Sequence, residues 1–207
     1  MTSSVLRVLV SLLLLIGLQQ LGSALLIHAK AGLAPLLLER AWTQSLQRGG
    51  QPVKPWPWAD TWPVARLVVP ALRQSHLVLA GDSGNALAFG PGHHSASALP
   101  GANGLTLIGG HRDTHFNFLK DMHLGQRVAL QSMSGDFSYY RVRAIDIVDA
   151  SKGGIVARHG FNRLMLVTCY PFDAILSGGP LRYRVIAERE TGPPVPGLPG
   201  RGDQFML

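Results

Sequence analysis

From Val64 onward the chain is a succession of short runs rich in branched and aromatic residues: ARLVV, HLVLAG, LTLIGG, RVAL, YYRVRAIDIVDA, RLMLVTC and LRYRVIAE. Turns rich in Gly, Pro and Ser separate them. Runs of that composition suit the pleated, half-buried surface of a sheet. Tyr140, Val142 and Ala144 alternate with Arg141 and Arg143, the period of two that sends successive side chains to opposite faces. Many short strands with few helices predict a mainly β domain over residues 64–190, closed into a barrel or stacked as a sandwich. One short helix is expected at Phe116–Leu124, with Phe116, Leu119 and Leu124 toward the core.

The segment before this domain has a different character. Val8 to Ile27 is apolar apart from Ser11, Gln19, Gln20 and Ser23, about the 20 residues a helix needs to cross a bilayer at ~1.5 Å per residue. Arg7 on its N-terminal side predicts the N-terminus inside and the bulk of the chain outside. Residues 1–30 therefore read as a membrane anchor, with a signal peptide cleaved near Ala29-Lys30-Ala31 as the rival reading. Residues 31–63 read as a helix to Arg48, stopped by Gly49-Gly50, and then a Pro/Trp-rich linker. Packing onto the domain and contact with a membrane interface are both open to its tryptophans. Residues 191–207 carry no periodic apolar face and read as a loose tail, in which the RGD triplet is a chance occurrence.

Composition narrows the function. The net charge is +7, from 19 Lys+Arg against 12 Asp+Glu, which suits acidic surfaces. The arginines are dispersed, with no basic helical stripe beside stacking aromatics, which argues against nucleic acid. One cysteine excludes an internal disulfide and any multi-cysteine metal site. His111 and His115, with His123, His93 and His94, raise a zinc site. Four-residue spacing needs a helix to align its ligands, though, and Gly109-Gly110 makes this stretch a strand end and loop.

Three elements could carry chemistry. LTLIGGHRDTHF, residues 105–116, is a strand ending in Gly109 and Gly110, which leave room for another backbone just before His111. In LMLVTCYPF, residues 164–172, Pro171 interrupts pairing beyond Cys169 and so places the thiol at a strand end. LRYRVIAE opens with Arg182, and strand alternation puts Arg184 on the same face. A thiolate attacks a carbonyl, a histidine moves the proton of the amine, and a guanidinium steadies an oxyanion. Taken singly, each has a bland reading: a core cysteine, a strand-end histidine, a solvated arginine.

Together, GPGHHSASALPGANGLTLIGGHRDT, LVTCYPF and GPLRYRVIA resemble, in their order, the sortases, membrane-anchored cysteine transpeptidases. The Cys-Tyr-Pro-Phe run is most similar to the proteobacterial type. The resemblance implies an eight-stranded β-barrel with one or two short helices, Cys169 as nucleophile, His111 as acid/base and Arg182 as oxyanion stabiliser. Gly109, Gly110, Asp113, Thr114 and Thr168 are the substrate-side residues it suggests. Asp113 and Thr114 orient the loop, while Thr168 should face away from the thiol. The acidic cluster that binds calcium in some sortases is not evident, so no cofactor or metal is expected. The implied partners are a secreted protein with an LPXTG-like sorting signal, cut between Thr and Gly, and an amine acceptor. The implied location is the bacterial inner membrane, single-pass, with the catalytic domain facing the periplasm or outside. L,D-transpeptidases and papain-like hydrolases fit less well, because here His precedes Cys and the cysteine motif differs. The remaining alternatives are an anchored cysteine peptidase and an inactive β-barrel binding module.

Overall fold

The computed structural model describes residues 2–153, 162–174 and 178–191, with side chains other than those of residues 2–5 and 23–31. The expected tail from residue 192, with its RGD triplet, lies outside the described residues. Residues 1–37 and 38–207 form two compact units.

The second unit is a closed barrel of eight strands. In chain order these are β1 (Pro63–Val69), β2 (Gln74–Ala80), β3 (Gly92–His93), β4 (Leu105–Gly109), β5 (Arg127–Ser132), β6 (Phe137–Asp149), β7 (Arg163–Cys169) and β8 (Leu181–Arg189). Around the barrel the order is β1-β2-β3-β4-β7-β8-β6-β5, and β5 closes onto β1. All seven runs picked out in the sequence are strands. The eighth, β3, has two residues, too few to show alternation. It is nonetheless the piece that joins β2 to β4.

Fully buried Leu67, Val78, Ile108, Leu130, Leu164 and Val185 fill the interior from six different strands. β6 departs from the simple alternation. Tyr140 and Val142 face inward as expected, but the register shifts between Val142 and Ala144. The extra residue of this bulge inverts the parity, so that Ile145 rather than Ala144 packs against the core.

The expected helix at Phe116–Leu124 is a 3-10 turn over Asn117–Asp121. Phe116, Phe118 and Leu119 are buried, whereas Leu124 is 67% exposed. A 3-10 turn advances three residues per turn rather than 3.6, which carries Leu124 off the buried face.

A single helix, α1 (Thr2–Gln47), runs through what the sequence suggested were two segments. Within the second unit its Leu38, Ala41, Trp42 and Ser45 are buried, the i, i+3, i+4, i+7 stripe of a docked helix. Arg66 of β1 reaches this part of the helix, pairing with Glu39 at 2.5 Å and lying 5.9 Å from the Trp42 ring centre. The helix ends as expected at Gly49-Gly50. Gly50 N–H donates to Ser45 O and Gly49 N–H to Leu46 O, with φ of +89° and +67° that only glycine adopts freely. The linker lies on the barrel: Thr61 donates to Ala80 O at 2.8 Å, and Trp62 packs against the core. Trp56 sets its ring edge-on to Phe89, while Trp58 is 81% exposed.

In the first unit, the side chains of α1 from Leu6 to Leu21 are exposed, among them Leu9, Leu13 and Leu18. Leu33 and Leu36 are exposed as well. Among the described residues no helix is long and apolar enough to cross a membrane.

Candidate active site

Cys169 is the last residue of β7, half-buried and in no disulfide. β7 is an interior strand of the barrel wall, with β4 parallel on one side and β8 antiparallel on the other. On the β8 side, Cys169 is directly paired with Arg182. On the β4 side, Gly109 is paired with Val167. Two residues further along each of those parallel chains stand His111 and Cys169. The sheet therefore sets Cys169 beside Arg182 across β7 and β8, about 4.8 Å from strand to strand, while His111 is the second residue past the last β4–β7 pair.

Alternation decides which way they face. Leu164, Leu166 and Thr168 point into the barrel, with Thr168 2% exposed, so Cys169 points to the outer face. Its cross-strand partner Arg182 shares that face. His111 is exposed.

The pairing of β4 with β7 extends past the last strand residue. Gly110 N–H donates to Val167 O at 3.1 Å, and the Thr168 hydroxyl donates to Gly110 O at 2.7 Å. Thr168, suggested as a substrate-side residue, is thus buried and spends its hydroxyl on the histidine loop. The two glycines also differ from the expectation of a backbone approaching both. Around Gly109 a Cβ would meet nothing within 4 Å. At Gly110 it would meet the Phe116 ring at 2.7 Å, so a side chain rather than a backbone requires the glycine. That ring packs there because Phe116 N–H donates to His111 O at 2.9 Å, closing residues 111–116 into a compact turn. Asp113 and Thr114 lie on the exposed crest of this turn. Arg112, half-buried, donates from Nη2 to Ala174 O at 2.6 Å, beyond the cysteine.

The two arginines of β8 separate by their partners. Arg184 stands opposite Asp146 and grips it with both Nε and Nη2, at 2.8 and 2.7 Å. The carboxylate holds the guanidinium's proton more tightly still, raising its pKa. Arg182 instead donates from Nη1 to the backbone oxygens of Gly179 and Leu181. A planar fork committed to a carboxylate is a structural pair. The arginine on the thiol's own row is Arg182.

Two further histidines, His115 and His76, lie beside the His111 turn; of these the sequence reading weighed only His115, as a metal ligand. His115 meets His76 of β2 edge-on at 6.1 Å, and His76 stacks on Phe118 at 5.4 Å and contacts Gln74 Oε1. Burial, and then the neighbouring His115, hold His76 down at about 4. Burial also lowers His115, reinforced by His111 and opposed by Asp113. Protonating one imidazole in this row disfavours the next. His93 and His94 are engaged elsewhere, His93 with Ala98 O and Ser97, His94 with Asp82. Among the described residues no three of His, Cys, Asp and Glu are grouped to hold a metal ion.

Tyr170 and Phe172 lie within ring-contact distance of Tyr183, at 6.3 and 5.1 Å. They buttress the mouth of the barrel beneath the cysteine turn. Burial raises the Tyr183 hydroxyl, helped by Tyr170 and Asp121. No signal in the sequence ties His76 to this region. The link exists because β2 and the 117–121 turn converge at the same barrel end.

The fold places the chain among closed eight-stranded β-barrels, with a cysteine at the end of one wall strand paired with an arginine on the next. The sortase domain family model matches residues 67–190. A curated relative, sortase D of Bacillus subtilis (strain 168), is 32% identical over 126 residues, 60% of this chain and 63% of that protein. The chain thus aligns with less than two thirds of that relative's length. Among solved structures, sortase C-1 from Actinomyces oris is 25% identical with a TM-score of 0.55, over 63% of this chain and 75% of that one. The Clostridium perfringens sortase D5 transpeptidase shares the fold at a TM-score of 0.61 and 18% identity, over 77% of this chain and 99% of that one. The chain belongs to the sortase family, a family of cysteine transpeptidases.

Proposed function

We propose that this protein is a sortase-type transpeptidase that cleaves an LPXTG-like sorting signal between Thr and Gly and transfers the acyl group to an amine. The observation that carries the reading is the pairing of Cys169 with Arg182 across β7 and β8, with the His111 loop tied through Gly110 to the two residues before Cys169. The Cys169 thiolate attacks the threonyl carbonyl carbon, and the carbonyl electron pair moves onto oxygen, where the Arg182 guanidinium steadies it. Collapse expels the glycine amine, which takes its proton from His111, and leaves a thioester on Cys169. The incoming amine then attacks the thioester, gives its proton back to His111 and releases the thiolate.

The acyl donor is a secreted protein with a C-terminal sorting signal. A single-pass anchor in the bacterial inner membrane, with the barrel facing the periplasm or outside, rests on the sequence alone, on the apolar run Val8 to Ile27 behind Arg7. A proteobacterial-type affinity rests on the Cys-Tyr-Pro-Phe run of residues 169–172 alone.

The test is incubation of the full chain in detergent with a quenched LPXTG-type peptide and an amine, followed by mass spectrometry for an acyl adduct on Cys169. Cleavage, transfer and adduct should all vanish in Cys169→Ala. Neither cleavage nor adduct across a varied peptide library would leave an inactive β-barrel binding module as the better reading.

A further inference from the structure

We infer that Arg112 is a positioning residue that sets the spacing of His111 and Cys169, an inference that rests on the proposed transpeptidase chemistry. His111 has two chain neighbours, and each is tied to the chain that carries the thiol. On its N-terminal side, Gly110 is held by Val167 O and by the Thr168 hydroxyl, both just before Cys169. On its C-terminal side, Arg112 reaches across to Ala174 O at 2.6 Å, just after the turn that follows Cys169. The histidine and the cysteine are therefore bracketed by the same two ties.

A third tie, Phe116 N–H to His111 O at 2.9 Å, closes the 111–116 turn on its buried side. Asp113 and Thr114 on the crest are exposed, and Arg112 is the side chain that fastens the crest to the chain carrying the thiol. Its long side chain is what allows a loop residue to reach the turn past the thiol. Because the group is half-buried and charged, its bond to the carbonyl is stronger than one between neutral groups in water. Proton transfer is sensitive to such spacing, a displacement of ~1 Å costing on the order of 100-fold in rate.

The experiment compares full-length wild type with Arg112→Ala, Arg112→Gln and Arg112→Lys, with His111→Ala and Cys169→Ala as references. Two readouts are taken: kcat and KM for peptide cleavage, and the pH profile of Cys169 alkylation by iodoacetamide. Arg112→Ala should lower kcat by on the order of 10- to 100-fold with KM nearly unchanged. Its alkylation profile should lose the inflection contributed by His111 and coincide with that of His111→Ala. Arg112→Lys, which still carries a donor of comparable reach, should recover most of both properties, and Arg112→Gln little.

Wild-type kcat and a wild-type alkylation profile in Arg112→Ala would overturn the inference. If Arg112→Ala does not fold, the Gln and Lys variants decide it, and equal behaviour of those two overturns it. If the wild type cleaves no peptide, the transpeptidase reading fails. The alkylation profiles still report whether Arg112 holds His111 against the thiol.

Discussion

Replacing Gly110 by alanine adds one methyl group at a place where the structure has no room for it. The new Cβ would lie 2.7 and 2.8 Å from the Phe116 Cγ and Cδ2 atoms. Carbon atoms prefer about 3.5–4.0 Å, so something must move by roughly 1 Å. Phe116 is fully buried, and its ring meets Phe118 edge-on at 5.8 Å, so it has nowhere to retreat. The backbone at Gly110 moves instead, against its ties to Val167 and Thr168. Overpacking of this kind costs about 1–3 kcal/mol, or roughly 4–8 °C in Tm for 2 kcal/mol in a domain of this size. The larger effect falls on catalysis, because the next residue is His111, and kcat should drop by on the order of 100-fold. Gly109→Ala is the control: its Cβ meets nothing within 4 Å, and its backbone is ordinary strand. That variant should keep wild-type activity and gain up to about 0.5–1 kcal/mol from a less flexible unfolded chain. Thermal unfolding and peptide turnover of the two variants decide the matter. A Gly110→Ala enzyme as stable and as active as Gly109→Ala would refute the packing argument. The double variant Gly110→Ala/Phe116→Leu should cost less than the sum of its parts, as expected when one change relieves the other.

Three further outcomes are expected. His76 sits at about 4 when folded, against 6.5 unfolded. The unfolded chain therefore binds more protons as pH falls from about 6.5 to 4, and stability drops through that window by at most about 3 kcal/mol, or roughly 1–2 after solvent screening. His76→Gln should flatten that part of a urea-unfolding series measured against pH, and an unchanged slope would count against the assignment. Arg184→Ala should lower stability by about 1 kcal/mol, because the pair with Asp146 is partly solvated, while Arg182→Ala costs turnover instead. Equal losses of kcat in the two variants would contradict the division of roles drawn from their partners. Thr168→Val keeps the shape but strips Gly110 O of its side-chain donor, costing about 1–3 kcal/mol by chemical denaturation. A Val variant as stable as wild type would mean the carbonyl finds another donor.

The Tyr139–Ala150 run displays both sides of what local sequence can tell. Its alternation identifies a strand, and Tyr140 and Val142 do face the core. The bulge between Val142 and Ala144 then exchanges the faces, and it is imposed by pairing with β8, of which the run carries no trace. The Phe116 turn behaves similarly. Its apolar residues announce a buried turn, but 3-10 geometry buries Phe118 and leaves Leu124 out.

By itself the sequence determined the seven longer strands, the glycine stop of the helix and the three reactive residue types with their order in the chain. These are local matters, settled by propensity, side-chain chemistry and motif. The tertiary structure alone decided that β4, β7 and β8 lie side by side, in a register that pairs Cys169 with Arg182 and ends the β4–β7 ladder two residues before His111 and Cys169. It also decided that Asp146 claims Arg184, that Thr168 serves Gly110, and that His76 and Arg112 join the neighbourhood of His111. The physical reason is that register between strands distant in sequence follows from closing the barrel around one shared core. No single strand's composition encodes which neighbour, or which residue of it, stands opposite.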